Sequence, residues 1–139
     1  MLCLTGEAGM ARKTLMVVED DTDTRELLQK ALGSEYELVG VSNGEGVPQL
    51  VESHQADLVV LDIGLPGISG IEVCRQLRAH GPTRNIPILF LTAFGGDAIF
   101  TEGVIAGGDG WMTKPFDVPK LKERIEYLLR GPAAVSGRL

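Results

Sequence analysis

Hydrophobic residues in this chain collect in short continuous runs, and the stretches between the runs mix apolar and polar residues. A short continuous apolar run is typical of a strand that is buried on both faces, as in a parallel sheet. The clearest runs lie at residues 14–18, 58–61 and 86–91, and weaker candidates lie at residues 37–41 and 111–112. The pattern therefore predicts five strands.

The stretches between and after these runs are predicted to be helices. Thr22 or Asp23 is expected to cap the first helix, which Gly33 ends. Its predicted apolar face comprises Leu27, Leu28, Ala31 and Leu32. The other predicted helices are a weak one that begins near Pro48, one over residues 70–78, a glycine-rich one over residues 94–106 and a final one that Asp117 caps. We expect the glycine-rich helix to be mobile, because each glycine lowers helix propensity by about 1 kcal/mol relative to alanine.

Strands that alternate with helices predict the α/β class, with a doubly wound parallel sheet, right-handed crossovers and helices on both faces. In such a sheet the carboxyl ends of the strands meet at one edge, and ligands bind there. We expect residues 14–130 to form this single domain. Residues 1–13 are expected to be a flexible leader, and residues 131–139 a C-terminal tail or the stub of a linker.

Composition and charge narrow the class of protein further. The net charge is −6, and no basic stripe is present that could neutralise nucleic-acid phosphates. No stretch approaches the roughly 18 apolar residues that a membrane span needs, and the N-terminus lacks the basic flank of a signal peptide. Cys3 and Cys74 are most simply free thiols of a reducing compartment. We therefore expect a cytoplasmic protein that binds neither membrane nor nucleic acid through this domain.

Acidic residues follow two of the predicted strands. Glu19 and Asp20 come directly after the first, and Asp62 follows the third. Carboxylates that converge at one sheet edge repel one another unless a cation lies between them. A hard divalent cation such as Mg²⁺ prefers such oxygen ligands, whereas His54 and His80 are isolated and form no cluster of zinc type.

The remaining strand ends supply groups for phosphoryl chemistry. Asp62 can act as a nucleophile and form an aspartyl phosphate. Thr92 offers a hydroxyl donor to a phosphate oxygen, and Lys114 offers a positive charge that offsets new negative charge. Each residue alone has an ordinary explanation in a turn or at a surface, so the prediction depends on all of them meeting at one edge.

Four sequence motifs, in this order, resemble the receiver domain of two-component response regulators, which has a fold like that of the chemotaxis regulators. They are Val17-Val18-Glu19-Asp20-Asp21, the segment from Leu61 to Gly70 that contains Asp62 and Leu65-Pro66-Gly67, Leu91-Thr92-Ala93, and Lys114-Pro115-Phe116. The resemblance runs from about Thr14 to Arg130. It implies a flavodoxin-like five-stranded sheet of order 2-1-3-4-5.

The resemblance also implies a role for each matching residue. Asp62 would take a phosphoryl group from a phosphohistidine of a histidine kinase or histidine phosphotransfer protein. Glu19, Asp20, Asp62 and the backbone carbonyl of Gly64 would hold Mg²⁺, whereas Asp21 is not a main ligand in the family pattern. Such a domain is a phosphoacceptor switch and not an enzyme.

Thr92 and Trp111 would form the switch pair, which remodels the surface of the fourth helix, the last strand and the last helix. Trp111 is larger than the Tyr or Phe that is usual at this position in the family. The alternative to a switch role is that Trp111 simply lies partly exposed on the strand surface. Phe94, Ile99 and Phe100 lie near this face and form either an apolar docking patch or ordinary core. Phe94 is also bulky enough to restrict access of water to an acyl phosphate.

Two other functions compete with this interpretation. A receiver-like protein-binding module would work without phosphorylation, but its site residues would normally be degraded, and here they are intact. A hydrolase with an Asp nucleophile would want a second acid two residues after Asp62, where Gly64 stands. The output partner is open, as is whether the chain is a stand-alone regulator or part of a longer one.

Overall fold

Five strands and five α-helices alternate along residues 12–93 and 95–136, which are the residues that the computed structural model describes. The elements are β1 Thr14–Val18, α1 Thr22–Leu32, β2 Glu37–Val41, α2 Val47–His54, β3 Leu58–Leu61, α3 Gly70–Ala79, β4 Ile88–Thr92, α4 Asp97–Ala106, β5 Gly110–Thr113 and α5 Val118–Ser136. A single 3-10 turn, Gly81–Thr83, follows α3. Most of the predicted leader and Phe94 lie outside the described residues, so the predictions about them stay predictions.

The five strands form one sheet of order β2-β1-β3-β4-β5 in which every neighbouring pair is parallel. Val18 of β1 pairs with Leu61 of β3, and Leu61 in turn pairs with Phe90 of β4. The strands therefore end nearly level with one another at their carboxyl ends. The predicted fold class and strand order are confirmed.

The continuous apolar strands supply two separate cores, because successive side chains point to opposite faces of the sheet. One face carries Met16, Val18, Val59, Leu61, Ile88 and Phe90, which pack with residues of α2, α3 and α4. The other face carries Leu15, Val17, Leu58, Val60, Leu89 and Leu91, which pack with residues of α1 and α5. The two-sided burial that the runs predicted is thus present.

The start of α1 differs from the prediction by one residue. Asp21 has an extended backbone and is the N-cap, and its side chain accepts a hydrogen bond from the Thr24 N–H at 3.0 Å. The helix thus begins at Thr22, so neither Thr22 nor Asp23 is the cap. Leu27 is 47% exposed and does not belong to the buried face as predicted, because the residues of α1 that face the core are Leu28 and Leu32.

The glycine-rich segment forms a helix later than predicted. Helix α4 begins only at Asp97, after Gly96, whose φ of 99° suits glycine because it has no Cβ. Phe100 is half-exposed and Ile99 is partly buried against the core, so these two candidates for a docking patch differ in exposure. At the other end of the chain, α5 continues through residues 131–136, where we expected a tail.

Arg78 at the end of α3 fastens the segment that follows α4. Its guanidinium donates to the Gly107 carbonyl at 2.7 Å and to the Asp109 carboxylate at 2.8 Å. It also donates to the Ile86 carbonyl, 2.6 Å away, just before β4. The segment after α4 is therefore fastened to α3 and to the start of β4. Among the described residues, a Cβ added to Gly95 or Gly96, which precede α4, would have no neighbour within 4 Å.

None of the helices within the described residues has both the length and the apolar character needed to cross a membrane.

Candidate functional site

The predicted site residues meet at the carboxyl edge of the sheet because three backbone hydrogen bonds extend the strand pairing by one residue. These bonds run from Glu19 N–H to Val41 O at 3.0 Å, from Asp62 N–H to Val18 O at 3.0 Å and from Lys114 N–H to Thr92 O at 2.9 Å. Each of these three donors directly follows the last residue of its own strand and lies beside the end of the neighbouring strand. Residues 95 positions apart in the sequence thereby come into contact.

Lys114 joins the two buried acids of this edge. Its Nζ donates to Glu19 Oε1 at 2.5 Å and to Asp62 Oδ2 at 3.1 Å. The side chains of Glu19, Asp62 and Lys114 are 4%, 9% and 20% exposed. Because a buried carboxylate needs a partner, the ammonium group stabilises both acids in their charged forms.

The pKa values of the three groups move in directions that burial and these contacts explain. Burial raises the pKa of Glu19, and the hydrogen bond from Lys114 only partly opposes it. Burial also raises the pKa of Asp62, but hydrogen bonds from the Gly64 N–H, the Thr92 side chain and Lys114 outweigh it, so the pKa is lowered. Burial lowers the pKa of Lys114, and the two carboxylates more than compensate and raise it. Asp62 is therefore a carboxylate at neutral pH.

Three acids at this edge could hold a metal ion. Glu19, Asp20 and Asp62 each offer a carboxylate oxygen within 4.8 Å of the others, and Asp20 is exposed to solvent. A set of oxygen donors with one open side matches what Mg²⁺ requires, since this cation takes few carboxylates and keeps several waters. Asp21 is absent from this group because its carboxylate caps α1 instead. The residues present therefore fit a magnesium ion.

The loop after β3 holds the Asp62 carboxylate in place. The Gly64 N–H donates to Asp62 Oδ1 at 3.1 Å, so the two carboxylate oxygens have different protein partners. Gly70, which begins α3, lies against the backbone of the same loop: a Cβ on Gly70 would be 2.1 Å from the Asp62 carbonyl oxygen. The predicted metal ligation by the Gly64 carbonyl stays a prediction.

Thr92 ends β4 as a fully buried residue, and its side chain forms a hydrogen bond with Asp62. The hydroxyl therefore already lies beside the predicted phosphoryl acceptor. Sequence reasoning placed Thr92 at this edge from the end of the apolar run alone, and the structure brings the two side chains together.

Trp111 lies on β5, one strand away, and faces α4. Its ring packs at 5.6 Å from that of Phe90 and at 5.3 Å, edge to face, from that of Phe100. A pocket of about 310 Å³ lies beside it, and Val104 and Arg124 are among the residues that line it. The tryptophan is partly buried, and its role in a switch stays a prediction.

Two contacts were not predicted, one at the candidate site and one elsewhere. Arg25 of α1 donates from Nη1 to the backbone carbonyl of Glu19 at 2.6 Å. His80, predicted to be isolated, pairs through Nε2 with Glu52 Oε1 at 2.8 Å. An arginine on a helix carries no sequence signal for a backbone carbonyl six residues earlier, because that contact depends on how the loop turns.

Comparison with known proteins identifies the chain over most of its length. The family model described as the response regulator receiver domain matches residues 15–126. The "Uncharacterized transcriptional regulatory protein YrkP" of Bacillus subtilis is 46% identical over 117 residues, which are 84% of this chain and 49% of that protein. The chain spans about half the length of the curated relatives it matches.

Two solved structures are similar over nearly all of their length. A putative response regulator from Chloroflexus aurantiacus has a TM-score of 0.81 and 34% sequence identity, with 87% of this chain and 100% of that chain covered. The receiver domain of the sensor histidine kinase PA1611 from Pseudomonas aeruginosa has a TM-score of 0.80 and 24% identity, over 87% of this chain and 100% of that one. That structure has a magnesium ion coordinated in its active site cleft.

Proposed function

The chain belongs to the response regulator receiver domain family of two-component systems, and on that premise we propose that Asp62 is its phosphoacceptor. The proposed donor is a phosphohistidine of a histidine kinase or a histidine phosphotransfer protein. The observation that carries the proposal is the placement of the Asp62 carboxylate, which lies 3.1 Å from Lys114 Nζ and within 4.8 Å of the Glu19 and Asp20 carboxylates.

The protein's own groups account for the transfer as follows. An oxygen of the Asp62 carboxylate attacks the phosphorus, the P–N bond to the donor imidazole breaks, and the imidazole leaves with the electron pair and takes a proton from solvent. The low pKa of Asp62 keeps it deprotonated for this attack. Lys114 and the Thr92 hydroxyl donate to phosphoryl oxygens as negative charge accumulates beside the acid.

Glu19, Asp20 and Asp62, with the Gly64 carbonyl, are the proposed ligands of Mg²⁺. When bound, the ion would add to the charge of Lys114 in neutralising the carboxylates and would supply a Lewis acid for phosphoryl oxygen. The magnesium ion in the cleft of the PA1611 receiver domain supports this assignment. The exposed carboxylate of Asp20 leaves an open side from which a phosphoryl group can approach.

The proposed consequence of phosphorylation is a change at the surface of α4, β5 and α5. Thr92 would exchange its hydrogen bond to the Asp62 carboxylate for one to the phosphoryl group, and Trp111 would repack behind it. This makes the domain a switch whose output depends on surface shape and not on turnover.

A phosphodonor experiment tests the proposal directly. With millimolar Mg²⁺ and acetyl phosphate, we expect the intact mass to gain one phosphoryl group, and hydroxylamine to remove it because the linkage is an acyl phosphate. Asp62→Asn should gain none, whereas Asp23→Asn, which changes an exposed acid on α1, should react like the parent. A folded parent whose mass stays unchanged would refute the proposal.

Magnesium is expected to stabilise the folded protein, because it relieves repulsion among the three carboxylates and binds only the folded state. At a concentration a hundred times the Kd the gain is about 2.7 kcal/mol, visible as a higher Tm. Asp20→Ala should remove this gain, and it should cost little by itself because Asp20 is exposed. Asp23→Ala is the control. An Asp20→Ala variant that responds to Mg²⁺ as the parent does would show that the metal assignment is wrong.

A further inference from the structure

Arg25 contacts the loop that carries two of the proposed metal ligands, although it is not one of them. Its Nη1 donates to the Glu19 backbone carbonyl at 2.6 Å, and its Nη2 lies 3.3 Å from the Thr22 hydroxyl. The apolar stem of the side chain lies over β2, where a Cβ on Gly40 would be 3.3 Å from Arg25 Cδ. The contact of the stem with β2 and the contact of Nη2 with Thr22 thus direct the guanidinium at the Glu19 carbonyl.

The bond to Glu19 fixes the peptide unit between Glu19 and Asp20. The N–H of Glu19 is already bound to the Val41 carbonyl at 3.0 Å, so both backbone polar groups of this residue have partners. Asp21, two residues after Glu19, is held as well, because its N–H donates to Glu19 Oε2 at 3.0 Å. Asp20 lies between these two anchored residues, and the orientation of its side chain follows from the orientation of the peptide before it.

We propose that Arg25 is a positioning residue, which holds the Glu19–Asp20 peptide so that the Glu19 and Asp20 carboxylates converge with Asp62 on a divalent cation. The inference rests on the magnesium site of the proposed function. Without the arginine, the Glu19 carbonyl would lose a charge-assisted donor, and the loop would gain conformations in which Asp20 no longer converges.

Charge alone predicts the opposite effect on metal affinity, and this makes the role testable. Arg25 carries a positive charge next to an acidic site, so its removal should strengthen cation binding if electrostatics were its only contribution. If Arg25 positions the loop, its removal should weaken binding, since residues that orient metal ligands typically contribute about tenfold or more to affinity. The sign of the change separates the two roles.

The test is a direct calorimetric titration of folded protein with Mg²⁺ alone. Arg25→Met keeps most of the apolar stem over Gly40 and removes the donors, and we expect its Kd for Mg²⁺ to rise about tenfold. Arg75→Met is the matched control, because Arg75 is an exposed helical arginine whose ion pair is with Glu72, and its Kd should equal that of the parent. An Arg25→Met variant that binds Mg²⁺ as tightly as the parent, or more tightly, would overturn the proposal.

Amide hydrogen exchange of the metal-free protein provides a second test that does not need the cation. In Arg25→Met the Asp21 amide should exchange faster than in the parent, whereas the amides of β4 should be unchanged. An unchanged Asp21 amide would overturn the positioning role. A parent that binds no Mg²⁺ would instead refute the metal site of the proposed function, and the Asp21 amide would still decide whether Arg25 holds the loop.

Discussion

Lys114→Met is expected to slow phosphoryl transfer from acetyl phosphate to Asp62 by about a hundredfold, since one preorganised charged donor is lost from the reacting group. Methionine fills a similar volume but can neither donate a hydrogen bond nor carry a charge. The nucleophile and all of the proposed metal ligands remain. The measurement is the initial rate of the mass gain at saturating Mg²⁺.

The same substitution should lower the free energy of unfolding of the metal-free protein. Removal of one partner from a fully buried ion pair costs about 3–5 kcal/mol. Lys114 keeps a fifth of its side chain exposed, so the loss is expected to be about 2 kcal/mol. Mg²⁺ should restore more stability in Lys114→Met than in the parent, because the Glu19 and Asp62 carboxylates would then depend on the metal alone for a cation.

Lys122→Met provides the control for Lys114→Met. Lys122 Nζ lies 3.8 Å from Glu35 Oε2 at the surface, and an exposed pair of this kind contributes little to stability. Its rate and unfolding free energy should be those of the parent. If Lys114→Met lost stability but kept the parent rate at saturating Mg²⁺, the lysine would only neutralise the acids and would have no part in the transfer.

Gly70→Ala should destabilise the fold by about 3 kcal/mol and also reduce labelling of Asp62, because the added methyl group meets the backbone of the loop that carries this acid. The new Cβ would lie 2.1 Å from the Asp62 carbonyl oxygen and 2.8 Å from Ile63 Cα. Backbone atoms cannot rotate away as a side chain can, so either α3 or the loop must shift. Urea denaturation measures the first effect, and the mass gain with acetyl phosphate measures the second.

Gly81→Ala is the matched control for this substitution. Gly81 begins the 3-10 turn, and a Cβ there would have no neighbour within 4 Å. We therefore expect parent-like stability and labelling. Parent-like values for Gly70→Ala would mean that the loop after β3 yields easily, and the rigid placement of Asp62 would have to be abandoned.

The sheet could be predicted from the sequence because the signal is simple and repeated. A strand buried on both faces must be apolar at every position, as Leu58–Leu61 and Ile88–Thr92 nearly are, and parallel pairing then brings the polar residues after each strand to one edge. The positions of Asp62 and Lys114 follow from that rule alone, and the structure places the two side chains in contact.

The details that sequence reasoning missed depend on local competition between neighbouring residues. Asp21, Thr22 and Asp23 are all good helix caps, and only the backbone angles at Asp21 decide among them. The exposure of Leu27 depends on how α1 is rotated about its axis against the sheet. The spacing of the apolar residues in α1 does not fix this rotation to better than one residue. The contact of Arg25 with the Glu19 carbonyl follows from the path of the loop, which has no periodic signal.

The fastening of α4 by Arg78 has a mechanical consequence. A helix that is fastened at its C-terminal end turns about that end when it is displaced, so residues near the N-terminus of α4 would travel farther than residues near Gly107. Phe100 lies nearer the N-terminal end than Val104, so such a rotation would displace Phe100 farther and would change its edge-to-face contact with Trp111. The hydrogen bonds of Arg78 thus set the end of α4 about which the helix would turn.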